Sequence, residues 1–416
     1  MININSAILS FLLVFSFLLR VSGQETDLDK KVEKIHNKIL SVDSHTDTPL
    51  RLQTKGFNIS ERHDPVKDHS KVDFPRMREG MLDGAFFAVF VSQGKRSFEG
   101  NEKAKQKADV LFDTLYSMLS RNKDVAGLAL TPEDAWKLKR KGKSAVFIGI
   151  ENGYCIGNDI ELVKTYYNKG ARYITLCHTK NNDICDSSTD TVEFNGLSEY
   201  GRNVVLMMNK VGMMIDVSHI SDKSFYDVLS ISKAPVIASH SCARALCDNP
   251  RNLSDSMLVA LAKNDGVIQM CILSDYVKTP PPNPGRDSAR AAIRKKYVSW
   301  DNLDEETLKT ARKEWYAIED QFPQKLATVS DVVDHIDHIV KVAGIDHVGI
   351  GTDFDGGGGV TGCFDVSGMK NITGELLVRG YSEDDIGKIW GGNLMRVMKK
   401  VDKLSKTINK PCPCSR

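Results

Sequence analysis

Ala145-Val146-Phe147-Ile148-Gly149-Ile150-Glu151 is an apolar run that ends on a carboxylate, with Asn152-Gly153 directly after it. A short continuous apolar run of this kind reads as a strand buried on both faces, as in a parallel sheet covered by helices. The pattern recurs along the chain. Ile39-Leu40-Ser41-Val42-Asp43-Ser44 precedes His45-Thr46-Asp47, Met213-Met214-Ile215-Asp216-Val217-Ser218 precedes His219, and Pro235-Val236-Ile237-Ala238-Ser239 precedes His240. In barrels of alternating strands and helices the reactive groups stand at the C-terminal ends of strands, so this repeated placement predicts a metal site at one barrel mouth.

Four further runs, Ala85 to Val91, Arg172 to Cys177, Val267 to Leu273 and His347 to Thr352, bring the expected strands to eight. Amphipathic helical patterns lie between them over 101–121, 132–140, 160–168, 197–210, 222–230, 255–263 and 329–342. Thr131-Pro132-Glu133-Asp134 and Ser221-Asp222 carry helix-start chemistry. The expected fold class is α/β, a single (β/α)8 TIM barrel over 24–404. One stretch breaks the rhythm: 278–324, with Pro280-Pro281-Pro282, Pro284-Gly285, Trp300, Trp315 and Tyr316, is expected as an insertion between strands seven and eight, helical over 304–320. Following a strand end, it belongs on the catalytic face, as a lid or as a surface subdomain. A final helix is expected from Asn393 to Leu404, then a polar tail over 405–416.

With 416 residues, 41% hydrophobic and 26% charged, the composition is that of a globular protein. Lys plus Arg number 56 against 54 for Asp plus Glu, which supplies no field for gripping a polyanion, and no nucleic-acid partner is expected. Ala7 to Leu19 is largely apolar and is followed by Arg20 and Val21-Ser22-Gly23. This predicts a signal peptide over 1–23 and an exported, periplasmic or secreted, protein. An uncleaved N-terminal anchor is the lesser reading, raised by the absence of Lys and Arg in Met1 to Ser6. The nine cysteines show no zinc-finger spacing; Cys177 and Cys271 lie in apolar runs and read as buried small hydrophobes.

His45 and Asp47, two apart on a strand, can converge on one ion with an imidazole nitrogen and a carboxylate oxygen, a set that suits Zn²⁺. Glu151 can bridge two ions through its two oxygens, and His219 with His240 can complete the second ion's coordination. Two ions roughly 3.5 to 4 Å apart would share a water and make it a nucleophile near neutral pH. Three more residues fall on the same rim. Arg251 can fork a carboxylate, His178 can brace an oxyanion, and Asp353 can bind an amine or move a proton. Tyr276, just beyond strand seven, is a further donor. His335 and His338, on a helix with Asp334 and Asp337, are expected on a solvated face. The glycines after Asp353-Phe354-Asp355 are expected to let backbone pass close to ions or substrate.

These peptides closely resemble the membrane dipeptidase (renal dipeptidase) family of dinuclear zinc peptidases. The resemblance rests on Val42 to Asp47, Ile150 to Gly153, Tyr173 to His178, Ile215 to His219, Pro235 to Ser241, Arg251-Asn252 and Gly349 to Gly356. It implies two Zn²⁺ per subunit, with His45 and Asp47 on one, His219 and His240 on the other and Glu151 between them. It implies that His178, Arg251 and Tyr276 meet the dipeptide's carboxylate or scissile carbonyl, that Asp353 meets the free amine, and that subunits pair as homodimers. Mammalian members end in a lipid-anchor signal. This chain ends Asn409-Lys410-Pro411-Cys412-Pro413-Cys414-Ser415-Arg416, so no GPI anchor is expected. The 278–324 insertion exceeds that of the mammalian enzymes and resembles bacterial relatives.

The expected activity is hydrolysis of dipeptides by a metal-bridged hydroxide, with Glu151, Asp353 and His178 as catalytic groups. The nearest alternative is another metal-dependent amidohydrolase or a lactonase on the same barrel. Those enzymes place His-x-His after strand one and bridge with a modified lysine, whereas here Asp47 and Glu151 occupy those places. A catalytically silent metal-binding scaffold is the alternative from another class.

Overall fold

The computed structural model describes residues 27–297, 303 and 305–410; the expected signal peptide, Trp300 and residues 411–416 lie outside the described residues. The strands are β1 (Val42–Thr46), β2 (Gly84–Phe90), β3 (Ala126–Leu128), β4 (Ser144–Glu151), β5 (Ala171–Thr175), β6 (Met214–Asp216), β7 (Ile237–Ser241), β8 (Val267–Met270) and β9 (Val348–Ile350). Every pairing is parallel, in the order β1-β2-β4-β5-β6-β7-β8-β9, with β3 attached to β4. Residues just past β9 close the seam: Phe354 bridges to Thr46, Asp353 N donates to His45 O at 3.0 Å, and Asp47 N donates to Phe354 O at 2.8 Å. This is the expected (β/α)8 barrel.

The alternation within β4 shows why its sequence suits this place. Val146, Ile148 and Ile150 pack in the core between strands and helices, while Ala145 and Phe147 belong to a second core that also holds Val42, Phe86, Tyr173 and Met214. Phe86 stacks on Phe147 at 4.7 Å between ring centroids and lies 5.3 Å from Tyr173, so aromatic rings fill the barrel floor. A Cβ on Gly149 would stand 2.1 Å from Tyr173 Cζ; the missing side chain admits that ring. Glu151, at the end of the same strand, is thereby carried to the mouth.

The expected helices appear as Phe98–Arg121, Pro132–Arg140, Glu161–Asn168, Glu199–Val211, Asp222–Ile231, Asp255–Lys263 and Val329–Ala343. Thr131 and Asp134 form a capping box, and Ser221 Oγ accepts from Ser224 N at 3.1 Å. The helix after Gly392 runs from Asn393 to Ile408, a turn beyond the expected end. The strand β3 and the helix Lys370–Val378 were not anticipated; three residues in Ala-Gly-Leu are too few to show a period.

The insertion folds as helices Pro284–Lys296 and Glu305–Gln321 around a small core of Ile293, Tyr297, Ala311 and Ile318. It is seated on the barrel by Gln324 donating to Asp275 Oδ1 at 2.5 Å and by Tyr316, whose ring stacks on His69 at 3.6 Å. One expectation is corrected. His335 does not lie on a solvated face: it is buried, accepting from Ala243 N at 3.1 Å and bonded to Val277 O at 2.8 Å. A neutral imidazole bonded on both nitrogens is acceptable on the inward face of an amphipathic helix. His338 pairs with Asp255 at 2.7 Å, and Asp334 and Asp337 hold Arg379.

Candidate metal centre

The barrel brings His45, Asp47, Glu151, His178, His219, His240 and Asp353 together at one mouth. His45, Glu151 and His240 place one donor atom each within 4.8 Å of one another; so do Glu151, His178 and His219, and His45, Asp47 and Asp353. Glu151 stands at the middle. Its Oε1 is 3.1 Å from His219 Nε2, 3.5 Å from His240 Nε2 and 3.7 Å from His178 Nε2, while Oε2 is 3.5 Å from His45 Nε2. Asp47 Oδ2 lies 3.9 Å from His45 Nε2, in the group it forms with His45 and Asp353.

The backbone at this rim is bent to aim these groups. Asn152, His219 and Asp353 have φ of 73°, 71° and 62°, in the left-handed region that non-glycine residues seldom adopt and that concentrates at functional sites. Behind the donors a second layer fixes the rings. His45 Nδ1 is 2.8 Å from the Tyr173 hydroxyl, which leaves Nε2 facing Glu151. Asp216 accepts from Ser239 Oγ at 2.6 Å and from Ser239 N at 2.8 Å, and Ser239 Oγ in turn meets His240 Nδ1 at 2.8 Å. Since Ser239 spends its proton on Asp216, His240 Nδ1–H donates to Ser239 and its Nε2 carries the free lone pair. Sequence reading passed over Tyr173, Ser239 and Asp216 as site residues. Their signal was present in strand runs that end beside a histidine, but their contacts cross strands.

Three buried donors, His45 Nε2, Asp47 Oδ1 and His219 Nδ1, have no hydrogen-bond partner among the described residues. His219 Nε2 and His240 Nε2 approach to 2.8 Å, a proximity that only a proton or a cation between the two nitrogens relieves. Burial and the neighbouring cations hold His219 and His240 well below the usual imidazole range, in the neutral form that binds metal. Burial alone would raise the Glu151 carboxyl, but His45, His178 and the hydrogen bond from His219 hold it well below the carboxylate range. Asp47 is pushed up to about 6 by burial and by the charge of Glu151, and burial with Asp47 nearby drives Asp353 well above its ordinary value. This crowd of acids and imidazoles with orphaned atoms fits a divalent-metal centre.

Around it stand the residues expected to handle substrate. Arg251 is buried and donates to His240 O at 3.2 Å, its Nε has no partner among the described residues, and its guanidinium lies 5.5 Å from the Tyr276 ring centroid. His178 stacks against His219 at 4.3 Å and is edged by Phe90 at 4.8 Å. The backbone at Gly356 passes close to two of the acids: a Cβ there would stand 2.1 Å from Asp47 Oδ2 and 2.2 Å from Asp353 Oδ1.

The profile of the membrane dipeptidase family, peptidase family M19, matches residues 29–411 of this sequence. The chain belongs to that family. Membership makes it a metallo-dipeptidase, in keeping with the donor set at the barrel mouth. Dipeptidase ataJ of Aspergillus terreus is 32% identical over 414 residues, covering 91% of this chain and 90% of the relative. Dipeptidase tcpJ of Claviceps purpurea is 32% identical over 356 residues, covering 84% of this chain and 74% of the relative. Among solved structures, the probable dipeptidase PvdM from Pseudomonas aeruginosa superposes with a TM-score of 0.79 at 31% identity, covering 91% of this chain and 99% of that one. The relatives thus include fungal and bacterial proteins.

Proposed function

We propose that this M19 dipeptidase is a dinuclear zinc enzyme that hydrolyses dipeptides. The observation that carries the reading is the split of Glu151: Oε2 faces His45, while Oε1 faces His219 and His240, the arrangement a bridging carboxylate requires. His45 and Asp47 would hold one ion and His219 and His240 the other. A pair of divalent cations held there supplies charge stabilisation and makes water nucleophilic near neutral pH. The chain's own groups do the rest. Arg251, paired face-on with Tyr276, forks the substrate's C-terminal carboxylate. His178, the most open of the histidines, directs Nε2 to the scissile carbonyl oxygen as negative charge gathers there. Asp353 receives the free amine, takes up the proton that the attacking water releases and passes it to the leaving nitrogen. Engagement of both termini restricts substrates to two residues. The reading extends to an exported protein that loses residues 1–23, supported by the apolar run Ala7 to Leu19.

Glu151→Ala tests it. Zinc per subunit by elemental analysis and hydrolysis of Ala-Ala should fall together, activity by at least ~100-fold, since a bridging ligand outweighs the outer partners whose loss costs about 10- to 100-fold. Two zinc ions retained in the variant would remove the bridging role, and cleavage of a tripeptide or a lactone in preference to Ala-Ala would replace the dipeptidase reading with a broader hydrolase.

A further inference from the structure

The insertion after β8 brings Arg312 near Arg51, which follows β1. Helix Glu305–Gln321 rests against the short helix Thr48–Leu52, which begins directly after Asp47. Tyr316 makes the contact: its hydroxyl accepts from Arg51 Nη2 at 2.9 Å, and Arg51 also donates to His69 O at 2.7 Å. Arg312 stands four residues before Tyr316 and so shares its helix face; it is half-buried. Burial and the charge of Arg51 lower the Arg312 guanidinium, and burial with Arg51 and Lys71 lowers His69, so these cations sense one another. Lys71 adds a third basic group, its Nζ 2.9 Å from the Phe364 ring centroid and its pKa brought down to about 7 by burial.

The carboxylates nearby are largely committed. Asp355 lies 3.5 Å from Arg51 Nε but already accepts from Thr48 Oγ1 at 2.9 Å and from Lys71 N at 2.7 Å. Glu319 serves Arg286 and Arg290, Asp365 serves Arg76, and Asp320 near His69 is exposed. Among the described residues, neither Arg312 nor Lys71 has a carboxylate within ion-pair distance. Arg51 Nε already faces Asp355 at 3.5 Å, whereas Arg312 is a partly desolvated guanidinium with no acid among the described residues, so its open fork is the one an incoming carboxylate would meet, beside the charge of Arg51.

We propose that Arg51 and Arg312, framed by Tyr316, form a subsite for an anionic side chain on the residue N-terminal to the scissile bond, so that the enzyme favours dipeptides beginning with Glu or Asp. The inference rests on the dipeptidase reading above. Its direction comes from Asp355, which touches Arg51 and stands two residues from Asp353, the group assigned to the free amine. Arg251, assigned to the substrate carboxylate, lies beyond β7, with β8 and β9 between it and that corner.

The test uses the metal-loaded full chain and reduced-amide analogues of Glu-Ala and Gln-Ala, which cannot be cleaved, with affinities read by calorimetry. The protein should bind the Glu analogue roughly tenfold more tightly than the Gln analogue, the discrimination one bidentate charge-assisted pair supplies. Arg312→Gln should bring that ratio near one, Arg312→Lys should restore part of it, and Lys313→Gln, which removes an exposed charge from the next position, should leave it intact. A ratio near one in the parent protein, or one that survives Arg312→Gln, overturns the subsite. Turnover of Ala-Ala is read separately: its absence would strike the dipeptidase reading, while a calorimetric preference for the Glu analogue that depends on Arg312 would still uphold the subsite.

Discussion

Asp43 and Thr352 fasten the first barrel strand to the last: Asp43 Oδ2 accepts from Thr352 Oγ1 at 2.5 Å and Oδ1 from Thr352 N at 2.9 Å. Oδ1 also accepts from His45 N at 3.1 Å, so one buried carboxylate ties the barrel seam to a candidate metal ligand. Thr352→Val keeps the side-chain shape and removes the hydroxyl, leaving a buried carboxylate oxygen without its donor. Stability should fall by about 2 kcal/mol, while Thr352→Ser stays near the parent. Urea unfolding of the three proteins checks this, and equal midpoints for all three would show that the seam does not depend on the hydroxyl.

Tyr173 reaches His45 only because Gly149 leaves room for its ring. Tyr173→Phe retains the packing and deletes the partner of His45 Nδ1, so the imidazole loses the bond that fixes its orientation. Zinc affinity, measured by competition with a chelator, should weaken about 10- to 100-fold. Unchanged affinity would mean that the ring is held by its packing alone.

Gly356→Ala places a methyl group where Asp47 and Asp353 oxygens now stand, at 2.1 and 2.2 Å. Either both carboxylates shift or the loop does. Because displacements of about 1 Å near a reacting centre cost on the order of 100-fold, kcat/KM for Ala-Ala should drop by about that factor. The thermal midpoint should move little, since the change is confined to one loop. Full activity would show that the two acids have slack.

His36 lies away from the mouth, bonded to Met81 O at 2.9 Å and to Thr373 Oγ1 at 2.8 Å, with its ring edge-on to Trp390. Burial lowers it from 6.5 to about 4. Below pH 6.5 the unfolded chain takes up a proton that the folded chain refuses, so this group's contribution is present above 6.5 and is lost as pH falls through about 4. The loss amounts to roughly 3 kcal/mol. Comparing urea midpoints of the parent and His36→Gln from pH 7 to pH 4 should show a shallower acid limb in the variant. Parallel limbs would assign the acid loss to other groups.

The eight barrel strands, the helices between them and the mouth residues were legible in sequence because each depends on local pattern. An apolar run marks a buried strand, and the polar residue ending it marks the rim. The same logic put Arg251 on the rim and named Tyr276 as a donor beyond strand seven; that the guanidinium lies 5.5 Å from the Tyr276 ring centroid is a contact that local pattern does not show. It misjudged His335, since periodicity shows which residues share a helix face but an imidazole suits either face.

Sequence by itself thus determined the barrel, the strand ends and the chemical character of the mouth. Only the tertiary structure decided which Glu151 oxygen meets which histidine, that Tyr173 and Ser239 brace His45 and His240, and that Tyr316 docks on Arg51 across 265 residues of chain. These relationships depend on barrel closure, which sets neighbours that no local period encodes, and on loops whose paths are fixed by what they pack against.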